Sequence, residues 1–274
     1  MDKAATSIFV RLVQKIPISW RIKLTRSSAA NWLRRLTLLP LAHGLVVVDL
    51  SGPLVGYHMR LDMRAGHRRY ALGTYEPEVA ALIQSTLRGG ETVMDIGANV
   101  GYFTLLLAHR VGSAGRVIAF EPLPSVYAVL CENLRLNGLT WVEAEYRAVS
   151  DHDGETRMRS ESSEPLPFTA RLAEDGDLVV PTVSIDRYVE VNQIPRLDFV
   201  KIDVEGAEDA VIRGMNATLQ KFRPVILIEV HANNGQESEG LLRLQEAGYR
   251  LTRVDPAGLS PCDTLSRGGH VLAR

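Results

Sequence analysis

The run Asp95-Ile96-Gly97-Ala98-Asn99-Val100-Gly101 constrains this chain more than any other feature. An apolar stretch, residues 92–96, leads into it and carries an acid near its end. Two glycines follow, then an amphipathic segment over 102–111, then a second apolar stretch over 116–120 that ends in Glu121-Pro122. A short apolar run bounded by glycines reads as a buried strand, and apolar residues at helical spacing read as a helix. Together they make a βαβ unit, and the alternation of strands and helices continues along the chain without an internal sequence repeat. A helix over 125–136 stops at Asn137-Gly138. Strands are predicted at 141–149, 197–203 and 224–231, helices at 208–222 and 237–247, and a closing pair of strands at 249–254 and 269–273. Such alternation predicts a mostly parallel sheet with helices on both faces.

Other segments are less regular. Residues 151–178 are polar and predict an inserted loop or hairpin, and Asp186 is expected to cap a short helix over 187–192. A helix is predicted over 76–88, ending at Gly89-Gly90. Residues 45–50 and 55–63 read as two strands joined by Ser51-Gly52-Pro53. We therefore expect an N-terminal extension over 1–68 and a main domain over 69–274.

Composition narrows the function classes. A formal net charge of -1 gives no general attraction to nucleic acid. The two cysteines, Cys131 and Cys262, are far apart in sequence and read as buried thiols of a reducing compartment. No signal peptide or membrane-spanning stretch is legible, so cytoplasmic residence is the expectation. The first 40 residues, however, carry eight basic side chains against the single acid Asp2, with Ile8, Leu12, Ile16, Trp20 and Leu24 at helical intervals. That pattern reads either as a cap packed on the main domain or as a peripheral membrane or partner contact.

Ligands of such sheets sit beyond the carboxyl ends of the strands, and Asp95, Glu121, Asp203 and Glu229 all fall there. Gly97 and Gly101 are expected to let a ligand approach the start of the helix, and Glu121 to accept hydrogen bonds from ribose hydroxyls. A dinucleotide fingerprint would place glycine where Asp95 stands. A carboxylate there repels a pyrophosphate and suits a cationic nucleoside cofactor, S-adenosyl-methionine. Asn99, Pro122, Ala148 and Asp151 are further candidate cofactor contacts.

With these motifs the chain resembles the FkbM family of S-adenosyl-methionine-dependent methyltransferases. The resemblance is carried by Asp95 to Thr104, Phe120-Glu121-Pro122, Asn133 to Gly138, Lys201 to Glu208 and Ile228-Glu229-Val230-His231. Tyr75-Glu76-Pro77 and Val183 to Asp186 add to it. It implies a Rossmann-like class I methyltransferase fold with a seven-stranded sheet, and O-methylation of a sugar, glycolipid or polyketide-like acceptor. It also draws Glu76 toward the acceptor or cofactor.

An alcohol acceptor must lose a proton as it is methylated. Lys201 and Asp203 share a strand face, as do Glu229 and His231 by the same alternation. His231 is the expected base, supported by Glu229, because a neutral imidazole accepts protons at physiological pH. The alternative is a divalent cation held by Asp203, Glu229 and either His231 or Glu205. His58, His67, His109, His152 and His270 belong to no constellation in the sequence. The competing functions are an NAD(P)-dependent oxidoreductase and a non-catalytic cofactor-binding protein. The acceptor's identity and the oligomeric state are not legible.

Overall fold

A computed structural model describes residues 10–26, 44–63, 67–160, 170–172, 175–231 and 236–274. The predicted N-terminal helical region lies partly outside them. Within them, a helical stretch from Val10 breaks near Pro17, and α1 (Ile18–Arg26) follows. Strands β1 (Leu45–Asp49) and β2 (His58–Asp62) form an antiparallel hairpin. Helices α2 (Arg68–Ala71) and α3 (Pro77–Thr86) lead into the main alternation. This runs β3 (Thr92–Ile96), α4 (Tyr102–Val111), β4 (Arg116–Phe120), α5 (Pro124–Leu136) and β5 (Val142–Glu145).

The predicted strand over 141–149 breaks after β5, and its remainder, β6 (Ala148–Val149), joins a different sheet. The polar stretch that follows contributes β7 (Gly154–Ser160), β8 (Ala170–Leu172) and β9 (Leu178–Val183), giving a small sheet of order β6-β9-β7-β8. Next come α6 (Ile185–Val191) and β10 (Phe199–Ile202).

The single helix predicted over 208–222 is two helices, α7 (Glu208–Arg213) and α8 (Asn216–Phe222). The break falls at Gly214, where a Cβ would lie 2.1 Å from the Ser150 carbonyl oxygen. Asp186 explains the restart. It does not cap its own helix, which Ser184 caps; its carboxylate accepts from the N–H groups of Ala217 and Thr218 at the start of α8.

The chain ends with β11 (Val225–Val230), α9 (Glu239–Glu246), β12 (Leu251–Asp255), β13 (Gly258–Pro261) and β14 (Gly269–Ala273). The main sheet has the order β13-β12-β14-β11-β10-β3-β4-β5. Strands β5, β4, β3, β10 and β11 are parallel; β14, β12 and β13 pair antiparallel. The sheet thus has eight strands where seven were expected, because β13 folds back on β12 at the edge.

Strand alternation divides the core. Val93, Val117, Phe199 and Leu227 pack with α3, α4, α5 and the hairpin on one face. Met94, Ile118, Val200 and Ile226 pack with α6 to α9 on the other. Asp95, Lys201 and Glu229 alternate with the second set and so point to the hairpin side. The hairpin is fixed there by its exposed backbone edge. Asn133 and Asn137, one turn apart on α5, hydrogen-bond the Arg60 and His58 backbone, with N–H to Oδ1 distances of 2.6 and 2.9 Å. Two motif asparagines thus satisfy an edge strand that has no further ladder partner among the described residues. Both cysteines are free, and each is half-buried rather than buried.

Candidate active site

Consecutive strands run outward from β3 to β5, and the chain then returns to β10 on the other side of β3. The crevice at that reversal is where an open parallel sheet holds its ligand. Register fills it with polar groups. Asp95 lies opposite Lys201, and Glu229 opposite His270. One residue past the last parallel pairs, Glu121, Gly97, Asp203 and Glu229 form a row across four strands, which His270 extends. At about 4.8 Å per strand, this row is about 19 Å long.

A cavity of about 960 Å³ opens over its β4–β10 part, lined by Asp95, Asn99, Glu121, Pro122, Ala148, Lys201 and Asp203 among others. One wall is aromatic. Tyr70 stacks on Tyr102 at 4.8 Å, Tyr75 meets Tyr70 edge-on at 4.6 Å, and Phe103 packs beside them.

The floor carries buried charge. Lys201 is 2% exposed, and its Nζ lies 3.1 Å from Asp203 Oδ2 and 4.9 Å from the Phe103 ring centre. Burial opposes its charge, but Asp203, Asp95 and Glu76 together hold the ammonium well above its ordinary value. Burial likewise opposes the Asp203 charge, and Lys201 more than offsets it, so this carboxyl sits below its ordinary value. Asp95 is fully buried. Burial raises its pKa, tempered by Lys201 and by the Thr104 hydroxyl, which donates to Oδ2 at 2.6 Å. Asp95 Oδ1 has no hydrogen-bond partner among the described residues.

Gly97 lines the cavity and Gly101 does not, and both glycines also make room for the chain itself. A Cβ on Gly97 would stand 1.8 Å from the Asp203 carbonyl oxygen, and one on Gly101 would stand 2.7 Å from Leu130 Cδ1. Their missing side chains admit the chain itself, joining the end of β10 to the β3 turn and seating α4 on α5. Glu121 accepts from the Asn99 and Leu123 N–H groups at 2.9 Å, one on each oxygen, and each oxygen keeps a further lone pair. Burial raises its carboxyl to about 7. Asn99 holds a left-handed φ of 51°, as do Glu76 at 37° and Glu205 at 52°, so backbone strain gathers around the site.

The acceptor-side expectations need correction. Strand β11 ends at Val230, so alternation stops there and His231 does not join Glu229. His231 instead bridges Glu208 (Nδ1 to Oε1, 2.8 Å) and Glu205 (Nε2 to Oε2, 3.2 Å). Hydrogen bonds to those two carboxylates push it up to about 11, so it is an imidazolium at neutral pH rather than the expected base. Glu229 pairs with His270, whose Nε2 lies 3.3 Å from Glu229 and 3.2 Å from Glu76. Burial lowers the His270 pKa and the two carboxylates override it, raising it to about 9.

The expected cation set is also divided. Among the described residues, Asp203, Glu205 and His231 bring ligand atoms within 4.8 Å, and so do Glu76, Glu229 and His270, but Asp203 and Glu229 fall in different groups. In the first group His231 is already held by Glu205 and Glu208, in the second His270 lies within ion-pair reach of both carboxylates, and Lys201 already balances Asp203. Asp151, expected near the cofactor, does not line the cavity. It pairs with Arg213 at 2.9 Å, and hydrogen bonds from His152 and Arg213 lower it to about 2. Glu76 also stands outside the cavity lining, 3.2 Å from His270.

Residues 95–251 match the family described as the methyltransferase FkbM domain. The chain is 30% identical over 200 residues to the hexuronic acid methyltransferase AglP of Haloferax volcanii, covering 71% of this chain and 79% of that protein. This chain belongs to the FkbM methyltransferase family. It is also 29% identical over 197 residues to the 31-O-demethyl-FK506 methyltransferase FkbM of Streptomyces tacrolimicus, covering 60% and 75% of the two chains. Among solved structures it is similar to the FkbM methyltransferase of Methylobacillus flagellatus, with 17% identity, a TM-score of 0.43, and 76% and 52% of the two chains covered.

The methyltransferase is S-adenosyl-methionine-dependent, and its residues fit that cofactor. The unpartnered Asp95 Oδ1 suits a donor group, the free lone pairs of Glu121 suit hydroxyls, and the aromatic wall suits a cationic centre. Sequence reasoning missed Tyr70, Tyr102, Phe103 and Met158 in the lining, and His270 beside Glu229. The register Glu229–His270 crosses an antiparallel pair closed late in the chain, which periodicity alone does not reveal.

Proposed function

We propose that this methyltransferase methylates a hydroxyl of a sugar-containing or polyketide-like small molecule, with Glu229 as the group that takes the hydroxyl proton. The observation that carries the reading is the row Gly97, Asp203, Glu229, His270. It continues the cofactor floor by one and two strands, so an acceptor aligned with the cofactor's reactive end lies over Glu229. The names of AglP and FkbM, a hexuronic acid and an FK506-precursor methyltransferase, support the same acceptor classes.

Bound S-adenosyl-methionine supplies a methyl group activated on a sulfonium leaving group. Asp95 and Glu121 hold its two ends. Lys201 locks Asp203 in one place, and the pair sets the floor beneath the reacting atoms. Glu229 accepts the proton as the acceptor oxygen gains its methyl. His270, itself held by Glu76, fixes the Glu229 rotamer. A positioned base of this kind contributes ~10²–10⁴-fold. This route moves the proton with side chains alone and calls on no divalent cation.

The test is release of S-adenosyl-homocysteine against a panel of free sugars, glycolipids and polyketides, with and without chelator. Turnover on a hydroxyl acceptor that survives chelation, and falls ~10²–10⁴-fold in Glu229→Gln at unchanged cofactor affinity, is expected. Parental turnover by Glu229→Gln would remove Glu229 from this role, and activity confined to nitrogen or carbon acceptors would remove the reading itself.

A further inference from the structure

The described N-terminal segment is held to the body by Arg21, Gln14 and the buried Val10, with Leu12, Ile16 and Trp20 turned outward. Arg21 is 6% exposed and donates to Ser51 Oγ at 2.6 Å and the Leu72 carbonyl at 2.5 Å. Gln14 Nε2 donates to the carbonyls of Asp49 and Ala71 at 2.9 and 3.0 Å. Val10 is buried, and Ile18 packs over Gly52, whose Cβ would lie 2.8 Å from Ile18 Cδ1. Leu12, Ile16 and Trp20 face out at 57%, 37% and 65% exposure, Ile18 stays 36% exposed while it touches Gly52, and Val55 stands exposed in the turn beyond Gly52. Arg11, Lys15 and Lys23 are exposed in the same stretch. Residues 10–26 contain no acid.

We propose that this face docks on the surface of an anionic lipid bilayer. An exposed tryptophan and aliphatic side chains beside the exposed Lys15 and Lys23 match an interface that is apolar below and negative above, with Arg11 paired to Asp49 at 3.0 Å at the edge of the patch. A second copy of the chain is a poorer occupant, because it would set Arg11, Lys15 and Lys23 against their like charges. No described helix is long and apolar enough to cross a membrane, so the contact is peripheral. The anchoring carbonyls of Ala71 and Leu72 stand one and two residues past Tyr70, which lines the cofactor cavity. Docking therefore fixes the catalytic crevice relative to the bilayer, as a lipid-linked acceptor requires.

The experiment is co-sedimentation of the full chain with vesicles of phosphatidylcholine alone or mixed with phosphatidylglycerol. Binding is read by pelleting and by tryptophan emission, and S-adenosyl-homocysteine affinity serves as the folding control. The parent chain is expected to bind the mixed vesicles and to stay in solution with phosphatidylcholine alone. Leu12→Ser/Trp20→Ser is expected to weaken partition by about tenfold or more. Lys15→Glu/Lys23→Glu is expected to weaken it by about tenfold, with a lower dependence on salt. Both variants should keep cofactor affinity. Failure to pellet with anionic vesicles, or equal pelleting by the parent and Leu12→Ser/Trp20→Ser, would overturn the proposal. So would a dimer in sedimentation velocity that the same substitutions abolish. None of these results bears on methyl transfer.

Discussion

Replacing Lys201 by Met removes one ammonium from a place where two carboxylates depend on it. Met keeps most of the volume of the lysine stem, so packing changes little and the effect is electrostatic. Lys201 is 2% exposed, touches Asp203 at 3.1 Å and lies opposite Asp95 in the strand register. Breaking a buried pair by removing one partner costs about 3–5 kcal/mol, because the remaining charge is stranded. Domain stabilities are about 5–15 kcal/mol, so the loss is large and measurable. The sign with pH follows from the groups involved. Asp203 sits below its ordinary value of 3.8, so its stabilising contribution is present above that value and disappears as pH falls through its folded pKa. Without Lys201, burial raises both carboxyls above 3.8. The penalty is then full at neutral pH and shrinks as acid protonates them. Urea unfolding of the ligand-free protein at pH 7.5 and pH 5 should show the gap between parent and variant narrowing, and Lys201→Met/Asp203→Asn should recover part of it at pH 7.5. A Lys201→Met protein within about 1 kcal/mol of the parent at pH 7.5, or a gap that ignores pH, would refute the reasoning.

Gly97→Ala should lower stability by about 3 kcal/mol or more, since it adds left-handed strain to an overlap with the Asp203 carbonyl; thermal unfolding reads it, and an unchanged melting temperature would contradict the packing role. Glu121 carries a burial penalty that grows as pH rises from its ordinary 4.5 to about 7 and is constant above, while a ligand that needs its ionised form gains by the same rise. Calorimetric affinity for S-adenosyl-homocysteine should therefore strengthen from pH 6 to pH 8 in the parent and stay flat in Glu121→Gln. The His231 contribution is fully present below 6.5 and is lost progressively as pH rises from there to about 11, so His231→Ala should lose about 1–2 kcal/mol at pH 7 and measurably less at pH 9, and leave the kcat profile without a missing ionisation near 6.5.

The legible part of this protein is the part built from parallel βα units. There the turn after each strand announces itself with Gly or an acid, so Asp95, Glu121 and Asp203 could be placed at strand ends before any coordinates. What escaped notice depends on contacts distant in sequence. His270 gains meaning only because β14 inserts beside β11, and His231 loses its expected partner only because β11 stops one residue short. Gly214 reads as a tolerated helix residue until the Ser150 carbonyl is found against it. Asp186 sits at a helix start in sequence yet caps another helix in space. The aromatic wall mixes Tyr70 and Tyr75, which precede the first core strand, with Tyr102 and Phe103, which open α4, and no spacing rule joins them.

The central claim is that the β3–β4 edge holds the methyl donor through Asp95 at one end and Glu121 at the other. Isothermal titration with S-adenosyl-homocysteine tests it in one experiment on the parent, Asp95→Asn and Glu121→Gln, with NADH as the comparison ligand. The account predicts binding by the parent, a loss of about tenfold or more in each variant, and no heat from NADH. Unchanged affinity in both variants, or NADH binding that S-adenosyl-homocysteine cannot displace, would contradict it.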